Sequence, residues 1–205
     1  MTDENRPRLI VVAGPNGAGK TTITDKLLRH EWMEGCEYIN PDLIAQNEFG
    51  DWNSTDAVVK AADKAKMLRE NCLSRMESMA FETVFSTPEK LEFVRRAKSA
   101  GFFVRLFFVC TNDPSINAKR IAQRVMDGGH DVPIPKIISR YYRSIATCVQ
   151  AIPLLDRAYF YDNSESNVDP QLIFRVSDGS IAKMYLSAPP WAQDIIDAIG
   201  INADS

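Results

Sequence analysis

The stretch that decides the fold is Arg8-Leu-Ile-Val-Val-Ala13 followed directly by Gly14-Pro-Asn-Gly-Ala-Gly-Lys20-Thr21. The first six residues form an apolar run that ends at a glycine, which is typical of a strand buried on both faces of a parallel sheet. The next eight match the phosphate-loop pattern G-x-x-x-x-G-K-[ST] in full. Because a helical pattern follows over residues 21–30, the loop has the strand before it and the helix after it that the motif requires.

The chemistry of such a loop predicts a nucleotide site. Its glycines allow successive backbone N–H groups to turn inward, and the helix N-terminus adds partial positive charge. Lys20 would reach the β- and γ-phosphates, and the Thr21 hydroxyl would bind Mg²⁺. The residues expected to hold the nucleotide are Gly14, Pro15, Asn16, Gly17, Ala18, Gly19, Lys20, Thr21 and Thr22. The sequence lacks the N-K-x-D motif of GTPases and a clear second magnesium carboxylate, which favours a small kinase.

The rest of the chain alternates strand and helix patterns, which predicts a three-layer α/β fold with a parallel sheet. Further strands are predicted at residues 36–40, 80–85, 102–110 and 157–161, and helices at 54–79, 88–100, 114–126 and 135–151. Asp178-Gly179 is a strong type I′ turn signal and predicts an appended β-hairpin before a terminal helix. We expect a single P-loop kinase domain over residues 1–205, with its core at 8–164, a lid at 114–143 and the hairpin and helix at 171–200.

Composition and charge exclude several classes of protein. Hydrophobic residues make up 45% and charged residues 25%, which excludes a disordered or low-complexity chain. The net charge of −3 argues against general nucleic-acid binding, although it leaves room for a local basic site. The four cysteines have no metal-type spacing and are expected to be reduced thiols. Because no membrane-length apolar run and no signal peptide is present, we expect a cytoplasmic protein without membrane contact.

Two carboxylates come at the ends of predicted strands, the edge where open parallel sheets bind ligands. Asp42, in Asn40-Pro-Asp42, could accept the proton of a substrate hydroxyl, or it could merely cap the helix that follows. Glu82 interrupts an apolar strand and is followed by Thr83. A carboxylate there must be paired, ligated or exposed, so Glu82 either binds the acceptor or a magnesium-bound water, or lies on the surface of an edge strand.

Arginines on two neighbouring helices predict a lid. Arg120 and Arg124 are four residues apart and share one helix face, and Arg140 follows on the next helix. Planar guanidinium groups stabilise the charge that develops on a transferring phosphoryl group. A glycine loop joins the two helices and contains His130, which could contact a phosphate of the substrate or cap the loop. Taken singly, each arginine could also be a solvated surface charge.

Together these segments resemble the zeta-toxin family of P-loop kinases, and most closely its short single-domain bacterial branch. The motifs that carry the resemblance are the phosphate loop, Ile39-Asn-Pro-Asp42, Phe81-Glu-Thr-Val84, Arg124-Val-Met-Asp-Gly-Gly-His-Asp-Val-Pro133 and Tyr161-Asp-Asn-Ser164. The resemblance implies a nucleotide-kinase-like fold that uses ATP and Mg²⁺. It also implies transfer of the γ-phosphate to a sugar hydroxyl of a UDP-amino sugar, such as UDP-N-acetylglucosamine.

The resemblance further implies a role for each matching residue. Lys20 and Thr21 would bind ATP·Mg²⁺, with Lys20 also acting in catalysis. Asp42 would be the general base and contact the acceptor, which Glu82 and Thr83 would also bind.

For the lid, the resemblance implies that Arg120 or Arg124 holds the transferring phosphate, with Arg124 and Arg140 as the catalytic arginines. It also implies a small helical antitoxin, supplied in trans, as a protein partner. Two alternatives stay open: a kinase of another hydroxyl acceptor, such as a nucleoside, a cofactor or an antibiotic, and a non-catalytic nucleotide-binding module.

Overall fold

The computed structural model of this protein describes residues 6–49, 54–126 and 132–203. Within these residues, seven strands form one sheet in the order β2-β3-β1-β4-β5-β6-β7. The strands are β1 (Arg8–Ala13), β2 (Glu37–Ile39), β3 (Met79–Thr83), β4 (Phe103–Cys110), β5 (Arg157–Asp162), β6 (Gln171–Ser177) and β7 (Ser180–Met184). The helices are α1 (Lys20–Leu27), α2 (Pro41–Glu48), α3 (Thr55–Arg75), α4 (Pro88–Ser99), α5 (Pro114–Met126), α6 (Ile134–Ala151) and α7 (Pro190–Ala203).

The sheet is parallel from β2 to β5 and antiparallel at β6 and β7. The phosphate-loop strand β1 lies in the middle, between β3 and β4. Asp178 and Gly179 both have positive φ angles, 49° and 77°, as a type I′ turn requires. The P-loop α/β fold with a C-terminal hairpin is therefore confirmed, and the hairpin continues the main sheet because β6 pairs along β5.

Helices cover the two faces of the sheet unequally. The larger apolar cluster joins the strands to α3, α4, α6 and α7, through buried residues such as Cys72, Val94, Tyr141 and Trp191. A smaller cluster on the other face packs α1 and a short 3-10 helix, Glu31–Met33, against β1 and β4. This gives the expected three layers. No helix in the described parts of the chain is long and apolar enough to span a membrane.

The long helix predicted at residues 54–79 ends earlier than its composition suggests. Ser54 caps α3, but Met76 adopts a left-handed conformation with φ 58°, and Glu77 N–H closes the turn on Cys72 O at 2.9 Å. Met79 is instead the first residue of β3, where it is fully buried and opposite Leu9. The residues of this segment favour a helix, but the pairing of Met79 with β1 determines where the helix ends. Such a tertiary contact is not visible in a local sequence pattern.

A buried carboxylate, Asp156, joins the amino ends of β4 and β5 to the N-terminal segment. Its oxygens accept hydrogen bonds from Arg6 Nη1 at 2.9 Å and from Val104 N at 2.8 Å, and Lys98 Nζ lies 2.8 Å away. Burial alone would raise the pKa of Asp156, but these donors outweigh it and hold the pKa below its usual value.

Replacing Asp156 with Asn should lower the free energy of unfolding at pH 7 by about 2–4 kcal/mol, since it leaves two cations without their carboxylate. The folded-state pKa lies below the unfolded one, so this stabilisation is present above about pH 4 and is lost as the pH falls through the folded pKa. Denaturant titrations should show the parent and the variant converging in that acid range. Asp169→Asn, in an exposed ion pair with Lys26, should change the stability by less than about 1 kcal/mol. If the difference in the free energy of unfolding between the parent and Asp156→Asn stays constant as the pH falls, the stabilising role of the ionised Asp156 carboxylate is wrong.

Candidate functional site

The phosphate loop turns sharply from the end of β1 into α1, and its glycines are required by close contacts. At Gly14, φ is +146° and a Cβ atom would lie 2.0 Å from the Val109 carbonyl oxygen of β4. At Gly19, which precedes α1 with φ +92°, a Cβ atom would lie 2.2 Å from Asn163 Nδ2. The loop is therefore packed against the neighbouring strand ends with no room for side chains at these positions.

Two asparagines that the sequence analysis did not single out hold this loop. Asn117 is fully buried on α5, and its Nδ2 donates to Asn16 O at 2.6 Å. Asn163, after β5, donates from Nδ2 to Ala18 O at 2.8 Å. A polar residue within the apolar face of α5 was the available signal for Asn117. Asn163 lies in the Tyr161–Ser164 motif, but only the fold shows that its partner is the phosphate loop.

Lys20 folds back onto the loop. Its Nζ donates to the carbonyl oxygens of Gly14 and Pro15, both at 3.0 Å. Burial lowers the pKa of Lys20 to about 8, with Glu82 nearby acting to raise the pKa and Arg124 acting to lower it. Lys20 is thus a partly desolvated ammonium group held by two neutral acceptors, which a phosphate oxygen can replace with a charged one.

The capping role considered for Asp42 belongs to Asn40. The Oδ1 of Asn40 accepts from Asp42 N at 2.9 Å and from Leu43 N at 3.5 Å, and helix α2 begins at Pro41. The interpretation of Asp42 as the cap is therefore wrong, because Asp42 already lies inside the first helical turn. Its carboxylate is exposed and lines the cleft.

Glu82 is held at the cleft by a residue that the sequence analysis missed. Tyr38 Oη donates to Glu82 Oε1 at 3.1 Å, and Asn40 Nδ2 donates to Tyr38 Oη at 3.0 Å. Burial and the neighbouring Glu82 carboxylate raise the pKa of Tyr38, which keeps the phenol protonated as a donor. The alternative in which Glu82 lies on an edge strand is wrong, because β3 lies between β2 and β1.

Thr83 is the last residue of β3 and lines the cleft. Thr83 is buried, and its Oγ1 accepts from Phe85 N at 3.1 Å. A hydroxyl that accepts from the backbone still has its own proton to donate. Thr83 can therefore offer a hydrogen bond to a ligand beside the Glu82 carboxylate.

The three arginines of α5 and α6 differ in how they contact the cleft. Arg120 donates from Nη2 to Glu165 O at 3.1 Å, while its Nη1 is buried and has no hydrogen-bond partner among the described residues. Arg124 lies one turn further along α5 and also lines the cleft. Arg140 contacts the loop through Asn16 Oδ1 at 3.4 Å, and burial lowers the pKa of Arg140. His130 lies outside the described residues.

The cleft has a volume of about 410 Å³ and brings most of the expected residues together. The predicted residues that line it are Asn16, Gly17, Gly19, Lys20, Thr21, Asp42, Glu82, Thr83, Arg120 and Arg124. Gly14, Pro15, Ala18, Thr22 and Arg140 are not part of its lining. One wall thus carries cations and backbone donors, and the opposite wall carries two carboxylates. This arrangement can bind a polyphosphate next to a group that loses a proton.

A sequence model of the family described as Zeta toxin matches residues 1–168. An uncharacterized protein from Haemophilus influenzae is 29% identical over 135 residues, which is 65% of this chain and 92% of that protein.

Solved structures share the fold at low sequence identity. One comes from the PezAT chromosomal toxin–antitoxin system of the human pathogen Streptococcus pneumoniae, with a TM-score of 0.63 and 17% identity over 98% of this chain and 86% of that one. Another, AvrRxo1-ORF1:-ORF2 with ATP, has a TM-score of 0.65 and 16% identity over 98% of this chain and 77% of that one.

Because Asn40 caps α2, Asn40→Ala should lower the free energy of unfolding by about 1 kcal/mol, the usual cost of losing an N-cap. Asp42→Asn should change it by less than about 0.5 kcal/mol, since it alters no packing and no capping bond. Urea denaturation of both variants measures the difference. A larger loss for Asp42→Asn than for Asn40→Ala would return the capping role to Asp42.

Proposed function

This chain belongs to the zeta toxin family of P-loop kinases, and we propose that it transfers the γ-phosphate of ATP to a sugar hydroxyl of a UDP-amino sugar such as UDP-N-acetylglucosamine. One observation carries the proposal: Lys20 and the arginines of α5 line the same cleft as Asp42 and Glu82. A phosphate-binding wall facing a proton-accepting wall is what phosphoryl transfer to an alcohol requires.

The residues of the loop fit a nucleotide with its metal ion. Lys20 and the backbone N–H groups of the loop match the charge of a triphosphate. Among the described residues the buried Nη1 of Arg120 has no hydrogen-bond partner, and a phosphate oxygen would supply the acceptor. Thr21 is exposed at the start of α1 and lines the cleft, where its hydroxyl could bind Mg²⁺. ATP·Mg²⁺ would supply the phosphoryl group and neutralise part of its charge. The related structure solved with ATP supports this choice of donor.

In the proposed reaction Asp42 is the general base. Its carboxylate accepts the proton of the acceptor hydroxyl as the hydroxyl oxygen bonds to the γ-phosphorus and the bond to the β-phosphate oxygen breaks. Negative charge develops on the three oxygens of the transferring group. Lys20 and Arg124 line the cleft where this charge forms, and Arg140 reaches the loop through Asn16. Positioned cations of this kind contribute mainly to transition-state stabilisation.

Glu82 and Thr83 suit the acceptor better than the nucleotide, because they lie on β3 next to the α2 end that carries Asp42. The Glu82 carboxylate can accept from a sugar hydroxyl, and the Thr83 hydroxyl can donate to one. We assign His130, which lies between α5 and α6 in the sequence, to the same acceptor. A kinase of another hydroxyl acceptor would use the same catalytic residues. The identity of the phosphorylated product therefore distinguishes that kinase from one that acts on a UDP-amino sugar.

The proposal includes a protein partner and a compartment. One structural neighbour comes from a toxin–antitoxin system, which supports a small antitoxin as the natural inhibitor of this kinase. ATP and UDP-sugars are cytoplasmic metabolites, so we place the activity in the cytoplasm.

Replacing Asp42 with Asn should lower kcat by about 10²–10⁴, the usual contribution of a general base, while nucleotide affinity changes little. The assay incubates the protein with ATP, Mg²⁺ and a panel of UDP-sugars and nucleosides, and identifies products by mass. Asp56→Asn is the matched control, since Asp56 occupies the same first-turn position on α3, away from the cleft. An active Asp42→Asn enzyme would refute the base assignment, and a phosphorylated nucleoside as the main product would refute the UDP-sugar.

Nucleotide affinity should fall as Lys20 loses its proton. Since burial sets the pKa of Lys20 at about 8 in the free protein, the affinity for a non-hydrolysable ATP analogue should drop by about tenfold between about pH 7 and about pH 9. Calorimetric titrations across this range measure it. The Lys20→Ala variant should bind weakly and without this pH dependence. Parent affinity that stays constant across the range would contradict the role of the ammonium group.

A further inference from the structure

A row of basic side chains crosses the sheet on the face that carries α1. Strand pairing places Arg105 directly opposite Arg157, Tyr159 opposite Arg175, and Arg175 opposite Lys183. Directly paired residues and residues two apart on one strand lie on the same face of a sheet. Arg8, opposite Phe103, joins the row at its other end. Five neighbouring strands, β1, β4, β5, β6 and β7, thus each contribute one cation to a single face.

This row is electrostatically unfavourable in the isolated chain. Two of its pairs, Arg105 with Arg157 and Arg175 with Lys183, place like charges directly opposite each other, which destabilises a sheet. Arg157 has one carboxylate partner, Asp178, at 2.9 Å. Across the described ranges, the other four cations of the row form no ion pair. Arg8 donates to the Glu34 carbonyl oxygen, and Arg105 lies over the rings of Trp32 and Phe103. These contacts do not neutralise the positive charges, so the row can take an anion.

Two arginines of the row also have buried nitrogen atoms that lack an acceptor. The Nε atoms of Arg105 and Arg175 are both buried and without a hydrogen-bond partner in the described part of the chain. Buried donors of this kind are rare in folded proteins, because leaving one unsatisfied costs about 1–3 kcal/mol. Burial, together with the nearby Arg8 and Arg157, lowers the pKa of Arg105.

Two aromatic rings lie beside cations of the row: the half-buried Trp32 beside Arg105, and the exposed Tyr185 beside Lys183. The small apolar cluster on this face includes no residue of β6 or β7 among the described residues. Trp32 lies against Arg105, whose guanidinium carbon is 3.9 Å from the ring centre. Tyr185 is 41% exposed, and Lys183 Nζ lies 4.8 Å from its ring centre. A cavity of about 460 Å³ opens beside Trp32 and the arginines, with Glu31 and Glu34 also in its lining.

We propose that this face binds single-stranded nucleic acid, with the row of cations along the phosphates and the aromatic rings against bases. Four inter-strand spacings of about 4.8 Å give a track of roughly 19 Å, enough for a short run of nucleotides. Basic residues combined with accessible aromatic rings are the usual means of binding single strands without sequence preference. An acidic peptide would use the cations but would have no use for Trp32 and Tyr185.

The site is separate from the kinase cleft. Arg8 and Arg157 are the first residues of their strands, whereas the phosphate loop follows the other end of β1 and Thr83 is the last residue of β3. The whole-chain charge of −3 does not describe this face, where the five cations of the row lie beside Glu31, Glu34 and Asp178. Binding here therefore does not depend on the phosphoryl-transfer activity proposed above.

The test measures binding of a fluorescein-labelled oligouridylate of about twelve nucleotides by fluorescence anisotropy at several salt concentrations. With five phosphate contacts, the slope of log K against log salt should be about −3.5, so that raising the salt from about 50 mM to about 200 mM weakens binding by about 10²-fold. The triple variant Arg105→Gln, Arg175→Gln, Lys183→Gln should reduce the slope to about −1.4. Because these changes relieve like-charge pairs, the variant should keep its thermal melting temperature. Lys183→Gln alone, on the exposed edge strand, removes one contact without touching the packing.

Two controls separate this site from other basic surfaces. Arg95→Gln removes one exposed charge from α4, which packs in the larger cluster away from this face, and should leave the slope unchanged. Lys20→Ala should also leave it unchanged, since the oligonucleotide does not occupy the cleft. The proposal fails if no binding occurs at about 50 mM salt, if the triple variant binds like the parent, or if Lys20→Ala abolishes binding. It also fails if polyglutamate of equal charge binds as tightly as the oligonucleotide.

Discussion

Everything at the cleft depends on the parallel pairing of β1 with β3 and β4. Ala13, the last residue of β1, lies opposite Thr83 on one side and Phe108 on the other. Because parallel strands end at a common edge, the phosphate loop, Glu82 and the Asn40–Asp42 turn emerge side by side. A shift of this register by one residue would turn Glu82 away from the cleft, since neighbouring strand residues face opposite sides.

Polar groups at this edge hold one another in place. Asn117 and Asn163 donate to the Asn16 and Ala18 carbonyl oxygens and so hold the backbone of the loop in its turned conformation. On the other wall Asn40 has two tasks, since its Oδ1 caps α2 while its Nδ2 supports Tyr38, and Tyr38 in turn holds Glu82. The two walls are therefore rigid before any ligand binds, which lowers the cost of arranging reactants.

The two faces of the sheet differ in how much of each is covered by helices. The face under α3, α4, α6 and α7 contains the main apolar core and gives the domain its stability. On the face of α1, the smaller apolar cluster covers part of β1, β3 and β4. Basic side chains lie at other positions of β1 and β4 and on β5, β6 and β7. Such a division leaves one surface free for contacts that neither the core nor the cleft uses.

The sequence alone determined the α/β class, the phosphate loop, the order of elements and the family, because these depend on local patterns and short motifs. It also pointed to Asp42, Glu82 and the α5 arginines through their positions after strands or on one helix face. Tertiary structure decided that Asn40 rather than Asp42 caps α2, that Tyr38 holds Glu82, and that Met79 starts a strand. It alone brought Arg8, Arg105 and Lys183 onto one face. Residues so far apart in the chain meet only through strand order and register, and no local pattern encodes these.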